Sequence, residues 1–585
     1  VPTPLFTDAT LASGLPLMNS ARLTFTDLNG DGRPDIVARV GDRYRVFLNL
    51  PANNALGFRY VEVEHPGLPS PQGGDLIVFA DLDNDGKTDA VFTRNLDTKN
   101  PTFKPPKLGS TTQPSGTCWL KGNGDGTFGP PQLIPAATPA TTICIAIGDA
   151  NGDGLPDIFI GNAYDHYGTT YTAYPSDLLI QHRDASGHIS FERAPLPEDS
   201  HPFDEDHDLG PRPIYGAMFV RLDESPLPSL LQIAYGRRWN RLYVPTGPFA
   251  ATGSGAPAYE DRAPQYHIDG DDDRSGKYPD WLKELAKTDK RFNSEDEKPF
   301  RSNGNGFDAA VGDVDGDGKF DLFLANITHA WAGPSSDRSR FLLQRTRDGH
   351  PYFEYDPRLS VDRPGTTHDA STTRPNWNQG DLFARLADID QDGHLDLVLA
   401  SSDYPDLPPH ENRLRIYLQQ PDGSFKDTPV GIDQIGAQQI SLADINGDGT
   451  LDLLVGQSFN RFTPKMIAAR TPPGPTARLF LNHATGHALT LRLIGDPAQR
   501  VPRDAFNTIV KVTATIHGQR TTQLRQLLGP GGHNSKGADL AIHIGLADAT
   551  YAEKVEILWP APGVPPTVLE YLPAGTHVIY QSRQP

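Results

Sequence analysis

Nine residues recur six times in this chain with a spacing that suits one kind of chemistry. The copies are DLNGDGRPD (27–35), DLDNDGKTD (81–89), DANGDGLPD (149–157), DVDGDGKFD (313–321), DIDQDGHLD (388–396) and DINGDGTLD (444–452). Positions one, three, five and nine supply Asp27, Asn29, Asp31 and Asp35; Asp81, Asp83, Asp85 and Asp89; Asp149, Asn151, Asp153 and Asp157; Asp313, Asp315, Asp317 and Asp321; Asp388, Asp390, Asp392 and Asp396; and Asp444, Asn446, Asp448 and Asp452. Position six is glycine in every copy. Carboxylates held this close repel one another unless a cation lies between them, and glycine lets the backbone turn sharply around it. Oxygen-only donors suit a hard cation that accepts many oxygens at about 2.3–2.6 Å, so calcium is expected ahead of magnesium, with about six ions per chain. The carbonyl of position seven is expected to join them.

The flanks say what must hold such a loop. The front half matches an EF-hand, but no Glu follows at position twelve, and the neighbours are not helical. RLTFT, LIVFA, TICIAIG and QISLA precede loops, while DIVARV, DAVFTR, DIFIGN, DLFLAN, DLVLAS and DLLVGQ end them. Each loop therefore joins two strands. Further β-rich arms meet at turns such as GNGDGTFG, RTRDGHPY and QQPDGSF, giving four antiparallel strands per unit. Such units read as the blades of a β-propeller.

The interval from Asp157 to Asp313 is too wide for one unit. Inside it, residues 215–244 keep the strand rhythm while LDESPLPS has lost the oxygen ligands, so a fourth, metal-free blade is expected and seven blades follow. The last unit ends one strand short at residues 477–486, and FTDAT near the N-terminus matches outer strands elsewhere. The N-terminal strand is therefore expected to close the ring and remove an exposed edge. Residues 1–483 form the expected propeller and 484–585 a small β-sandwich, an all-β fold throughout. The best helix candidate is Asp280–Phe292, with Asp280 as N-cap.

Composition agrees with short strands and many turns: 585 residues include 56 Gly and 54 Pro. The formal charge of −20 argues against nucleic acid as a partner. The ligand positions hold 21 of the aspartates, so six divalent ions would bring the charge to about −8. Cys118 and Cys144 are either one bridge or two buried thiols. No apolar run reaches membrane-spanning length, and a start at VPTPLF without Met reads as a processed chain. Loops of this kind stay filled where calcium is millimolar, so a secreted, periplasmic or cell-surface setting is expected.

These repeats resemble the FG-GAP/VCBS repeats of integrin alpha-chain propellers and of many exported bacterial proteins, over roughly residues 5–483. Residues 507–563, with a Gly-rich segment before a Ser, an IHIGL strand and a VEILWP strand, resemble the ASPIC/UnbV domain. Together they are similar to the cartilage acidic protein and UnbV group, which implies calcium binding and an extracellular setting but no defined chemical activity. In the C-terminal piece, Trp559 and Pro560 read as core and turn.

If all acidic loops share one face, the long insertions emerge on the other. There lie His166, His201, His207, His267, His329, His368 and His410, with Asp165, Tyr167, Asp204, Glu205, Asp206, Asp208, Trp331, Trp377 and Tyr404 nearby. Two functions are compatible with this content. One is a calcium-stabilised scaffold that binds a protein or glycan through the insertion face, with aromatic anchors. The other is a metal-dependent lyase, hydrolase or oxidoreductase acting on a small polar substrate at an additional transition metal, with His166, His329, His207, His368, His410 and Tyr167 as catalytic candidates. Binding is the preferred reading. No hydrolase elbow, P-loop or dinucleotide fingerprint points to other chemistry.

Overall fold

The computed structural model describes residues 5–582 except 100–101, 105–112, 167–171, 205–206, 208, 237, 247–254, 256, 271–282, 285–286, 289–303, 328–336, 363–379, 403–412, 433–436, 459–475 and 538. Most of the expected helix at 280–292 lies outside these residues. Among them the chain is almost wholly strand, and before residue 483 it forms seven four-stranded antiparallel sheets. The first sheet illustrates the order: Leu23–Thr26, Asp35–Val40, Arg43–Pro51 and Phe58–Val63. The first strands of the other six are Leu76–Ala80, Thr142–Gly148, Ile214–Val220, Gly306–Gly312, Asp381–Ala387 and Ile440–Ala443.

Burial falls from the first strand of a sheet to the last, as expected if first strands line an axis and fourth strands the rim. Leu23–Thr26 is buried throughout, whereas Phe58–Val63 alternates with exposed residues. Apolar residues fill each gap between successive sheets. Phe47, Phe25 and Leu23 pack with Ala443, Leu454 and Leu479, so the first and seventh sheets meet and the ring is closed. Phe323 and Phe341 of the fifth sheet likewise pack against Leu397 and Leu399 of the sixth.

The seventh sheet takes its outer strand from the N-terminus. Phe6–Asp8 pairs antiparallel with Arg478–Asn482, and Phe6 is fully buried. The edge that the seventh sheet would expose is thereby paired. The fourth sheet lacks the acidic loop: Val220 pairs with Ser229 where Gly148 pairs with Asp157 in the third sheet. Cys118 and Cys144 are separate buried thiols.

From His487 onward the chain forms a sandwich. One layer runs Gln519–Gln526, Ile509–Ile516, Tyr551–Leu558 and Thr567–Pro573 in spatial order; the other runs Ile542–Ala547, His487–Ile494 and Gly575–Tyr580, the last two parallel. Leu489, Leu491, Val510, Val512, Ile544 and Val555 fill the core between layers. Trp559 is buried with its indole N–H on the Thr567 hydroxyl, a core role.

The acidic loops and the seat of the C-terminal sandwich

All six loops share one set of bonds. The backbone N–H of position six donates to the position-one carboxylate, as Gly32 does to Asp27 and Gly393 to Asp388. The N–H of position seven donates to position five, as from Arg33 to Asp31. Position-six glycines have φ between 79° and 97°, a left-handed conformation that a side chain disfavours. Position four is left-handed too, and Asn84 and Gln391 adopt it without being glycine.

Position nine does structural work besides. One oxygen accepts the N–H of position two, as Asp157 does from Ala150. The other accepts an N–H from the third strand, from Asn49, Gln181, Gln344, Gln419 or Asn482, or from Gly122 just beyond it. Each position-nine carboxylate thus ties its loop to its own sheet while keeping lone pairs for a cation. Four of these third-strand side chains also reach across a gap. The amides of Asn49, Gln181, Gln419 and Asn482 donate to the position-two carbonyls Ile445, Leu82, Val314 and Ile389 of the preceding sheet's loop. Sequence reading missed this clamp, although the FLN, LIQ and YLQ triplets, FLN occurring twice, carry its signal.

The donor set fits a hard cation. Asp81, Asp83 and Asp85, then Asp313, Asp315 and Asp321, then Asp388, Asp390 and Asp396 each bring one oxygen within 4.8 Å of the others. Oxygens on a shell of radius about 2.4 Å lie no farther apart than that. Asp313 Oδ1, Asp388 Oδ1 and Asp390 Oδ1 are buried with no hydrogen-bond partner. Burial pushes the carboxyls of Asp35, Asp89, Asp321 and Asp388 up to about 7, and that of Asp313 to about 6. A buried carboxylate cluster stays ionised when a cation supplies the missing charge. Lys121 partly does so at Asp83 and Asp85, as does Arg345 at Asp315 (2.8 Å) and Asp317 (3.2 Å).

The C-terminal sandwich sits on this face. At the second loop the Asp81 N–H donates to Asp504, and the Arg503 N–H donates to the Asn84 side chain. At the third, Arg500 Nε donates to the Gly152 carbonyl (2.7 Å). At the sixth, His543 Nε2 lies 2.8 Å from the Gly449 carbonyl. The fourth sheet has no acidic loop, and Arg221 stands at position one. Its guanidinium donates to the Glu224 and Ser225 carbonyls of its own loop and to the Asn507 and Leu558 carbonyls of the sandwich. Burial pulls its pKa down to about 10, which leaves it charged at neutral pH.

From this seat the segment GPGGHNSKG (529–537) enters the ring. Ile147 N–H donates to the Pro530 carbonyl near the loop end of the third sheet's first strand, and Ile145 N–H donates to Ser535 farther in. The tip lies at the far end, where the His533 ring stacks on Tyr215 and meets Phe307 and Phe383, and Arg22 donates to Asn534. On the way back Lys536 Nζ donates to Asp308 (2.6 Å) and to the Ala309 and Ala384 carbonyls. The segment is a plug that fills the axis, and its glycines follow from the lack of room: a Cβ on Gly537 would lie 1.9 Å from the Thr24 hydroxyl, and one on Gly529 2.2 Å from the Ile147 carbonyl.

The histidine candidates are less gathered. His166 is half-buried beside Asp165, and exposed His207 pairs with Asp204 at 2.9 Å. His201 is exposed, and half-buried His267 stacks on Tyr352. Tyr167, Glu205, Asp206, Asp208, His329, Trp331, His368, Trp377, Tyr404 and His410 lie outside the described residues. Among the described residues, the groups that could hold a metal consist of aspartates alone.

The sequence matches the family described as FG-GAP-like repeat over residues 8–92, 109–160 and 388–455, and the family ASPIC and UnbV over 498–582. No curated protein matches it. Among solved structures, an Agrocybe aegerita lectin that recognises non-reducing terminal N-acetylglucosamine aligns at 14% identity and a TM-score of 0.28, covering 78% of this chain and 81% of the lectin. The rhamnogalacturonan lyase YesW aligns at 12% identity and a TM-score of 0.35, covering 79% and 71%. The exotype rhamnogalacturonan lyase YesX aligns at 12% and 0.31, covering 94% and 81%. By its repeats and its C-terminal part, this chain is a β-propeller protein with FG-GAP-like repeats that ends in an ASPIC and UnbV domain.

Proposed function

We propose that the protein is an exported calcium-binding propeller whose insertion-rich face binds a protein or glycan ligand. The observation that carries this reading is the division of labour between the two faces. The acidic loops lie under the C-terminal sandwich, and the plug fills the axis. The opposite end of the ring lies away from the sandwich, and the insertion-rich face is inferred to be there. Calcium would be held by positions one, three, five and nine of each loop, where it would supply charge neutralisation and cross-links between neighbouring oxygens. No helix among the described residues is long and apolar enough to cross a membrane.

Metal analysis of protein dialysed against calcium should find about six calcium ions per chain. Asp388→Asn should lower that number. For the ligand, replacing residues 403–412 by a Gly-Ser linker should abolish binding on glycan and protein arrays while leaving calcium content and melting temperature unchanged. Binding that survives this replacement, and is lost instead when the sandwich surface is altered, would place the ligand elsewhere.

A further inference from the structure

At the second, third, fifth and sixth acidic loops the sandwich touches the position-one aspartate or its loop, so docking of the two parts passes through the loops. The fourth sheet breaks the pattern in an informative way. Its loop spans Arg221–Ser229 in the register of Asp149–Asp157, because Val220 pairs with Ser229 as Gly148 pairs with Asp157. Arg221 therefore stands where the first metal-ligating aspartate stands elsewhere. Its charge points back into the loop, onto the Glu224 and Ser225 carbonyls at positions four and five. An aspartate in this place would need a bound cation to bring such carbonyls together; an arginine brings its own.

The same guanidinium crosses to the sandwich at the Asn507 and Leu558 carbonyls, both at 3.0 Å. The joint is reinforced on every side. Gln526 accepts from the Arg221 N–H and donates to its carbonyl, Asn507 donates to the Phe219 carbonyl, and half-buried Lys511 pairs with exposed Glu224. Arg221 itself is only 3% exposed, so the bonds of its guanidinium are shielded from water and salt. Directly beyond Gln526 the chain runs on to Gly529 and the plug, so this joint is the anchor nearest the plug's entry.

We propose that Arg221 is a covalently tethered substitute for the loop cation, and that its joint keeps the sandwich seated and the plug inserted when calcium is stripped from the other loops. The inference rests on the calcium reading above. It divides docking into a metal-dependent part, at the acidic loops, and a metal-independent part, at the fourth sheet and along the plug itself. Calcium loss then loosens the ring without releasing the plug.

Hydrogen exchange followed by mass spectrometry tests this on the full chain, below the melting temperature of the chelated protein, with metal content measured on the same samples. In the parent protein, chelation should speed exchange in the acidic loops and leave residues 529–537 protected. In Arg221→Met the plug should stay protected with calcium and exchange about tenfold faster or more once chelated, the effect expected from losing buried bonds to a charged donor. Gln526→Leu, which cuts two hydrogen bonds of the joint and leaves the guanidinium in place, should move in the same direction by less and serves if Arg221→Met does not fold. Plug protection lost in the chelated parent, or retained equally in both chelated variants, would overturn the proposal. Absence of bound calcium in the dialysed parent would instead refute the calcium reading, and the substitution with it.

Discussion

At the scale of single residues, the plug is held by groups that tolerate only one protonation state or one partner. His533 is buried among Tyr215, Phe307 and Phe383, and burial lowers its pKa to about 3. Its Nδ1 lies 3.0 Å from the Tyr215 carbonyl, which fixes the proton there, and its Nε2 faces the Asn534 amide at 2.9 Å. Arg22 donates to the Asn534 oxygen, so the amide presents its NH2 to His533 and a second ring proton has no acceptor. A depressed folded-state pKa means that stability is present above the unfolded value, about 6.5, and is lost as pH falls toward about 3. With calcium saturating, the melting temperature should decline across that window, and His533→Gln should flatten the decline; an unchanged slope would count against the assignment. Lys536→Met should cost about 3–5 kcal/mol in denaturant unfolding, because Asp308 is left buried without its cation. A cost below about 1 kcal/mol would mean that the pair contributes little.

At the scale of elements, the strand-loop-strand units were legible because their chemistry is local. Nine residues contain the turn glycine, the carboxylates and the first residue of the next strand, and the periodicity of their flanks fixes strands on both sides. The closing role of Phe6–Asp8 was legible for the same reason, since its apolar pattern copies other outer strands. Phe6→Ala should therefore cost about 3 kcal/mol or more, as for a fully buried aromatic, despite its place near the terminus. Thermal unfolding checks this, and a shift no larger than that of an exposed substitution such as Leu11→Ala would contradict it. Side-chain contacts between neighbouring sheets were not legible. Gln181 sits on a strand that needs no polar residue, yet its amide bridges to Leu82, 99 positions earlier. Gln181→Leu should cost about 1–3 kcal/mol by leaving the Leu82 and Pro156 carbonyls without that donor. The plug was hidden in the same way. GPGGHNSKG reads as a loop, and only the narrowness of the axis explains its four glycines. Arg221 is a third case, since a lost ligand is visible in sequence while the charge that replaces it is recognised only from register.

At the scale of the whole molecule, the acidity of the chain is concentrated where the sandwich covers it, and this gives the protein two opposite responses to pH. Asp35, Asp89, Asp321 and Asp388 are buried and pushed up to about 7, far above the value of an aspartate in an unfolded chain. For a raised folded-state pKa, stability is fully present below the unfolded value, about 3.8, and is lost as pH rises from there through the folded value, because the fold must then bury a charge that the unfolded chain hydrates. Without calcium, lowering the pH from 8 to 6.5 should therefore stabilise the protein, by roughly 1 kcal/mol per such group. With calcium the sign reverses. An ion held as proposed requires ionised carboxylates, so acidification should expel it and remove its binding energy from the fold. Below about pH 6.5 the His533 response adds to the loss in both conditions, which is why the comparison belongs above that value. Melting temperatures measured at intervals from pH 6.5 to 8, in chelator and in millimolar calcium, should run in opposite directions. Parallel curves would mean that the loops keep their protons, or lose them, for a reason unconnected with a bound cation, and the neutralisation assigned to calcium would have to come from residues such as Lys121 and Arg345 instead.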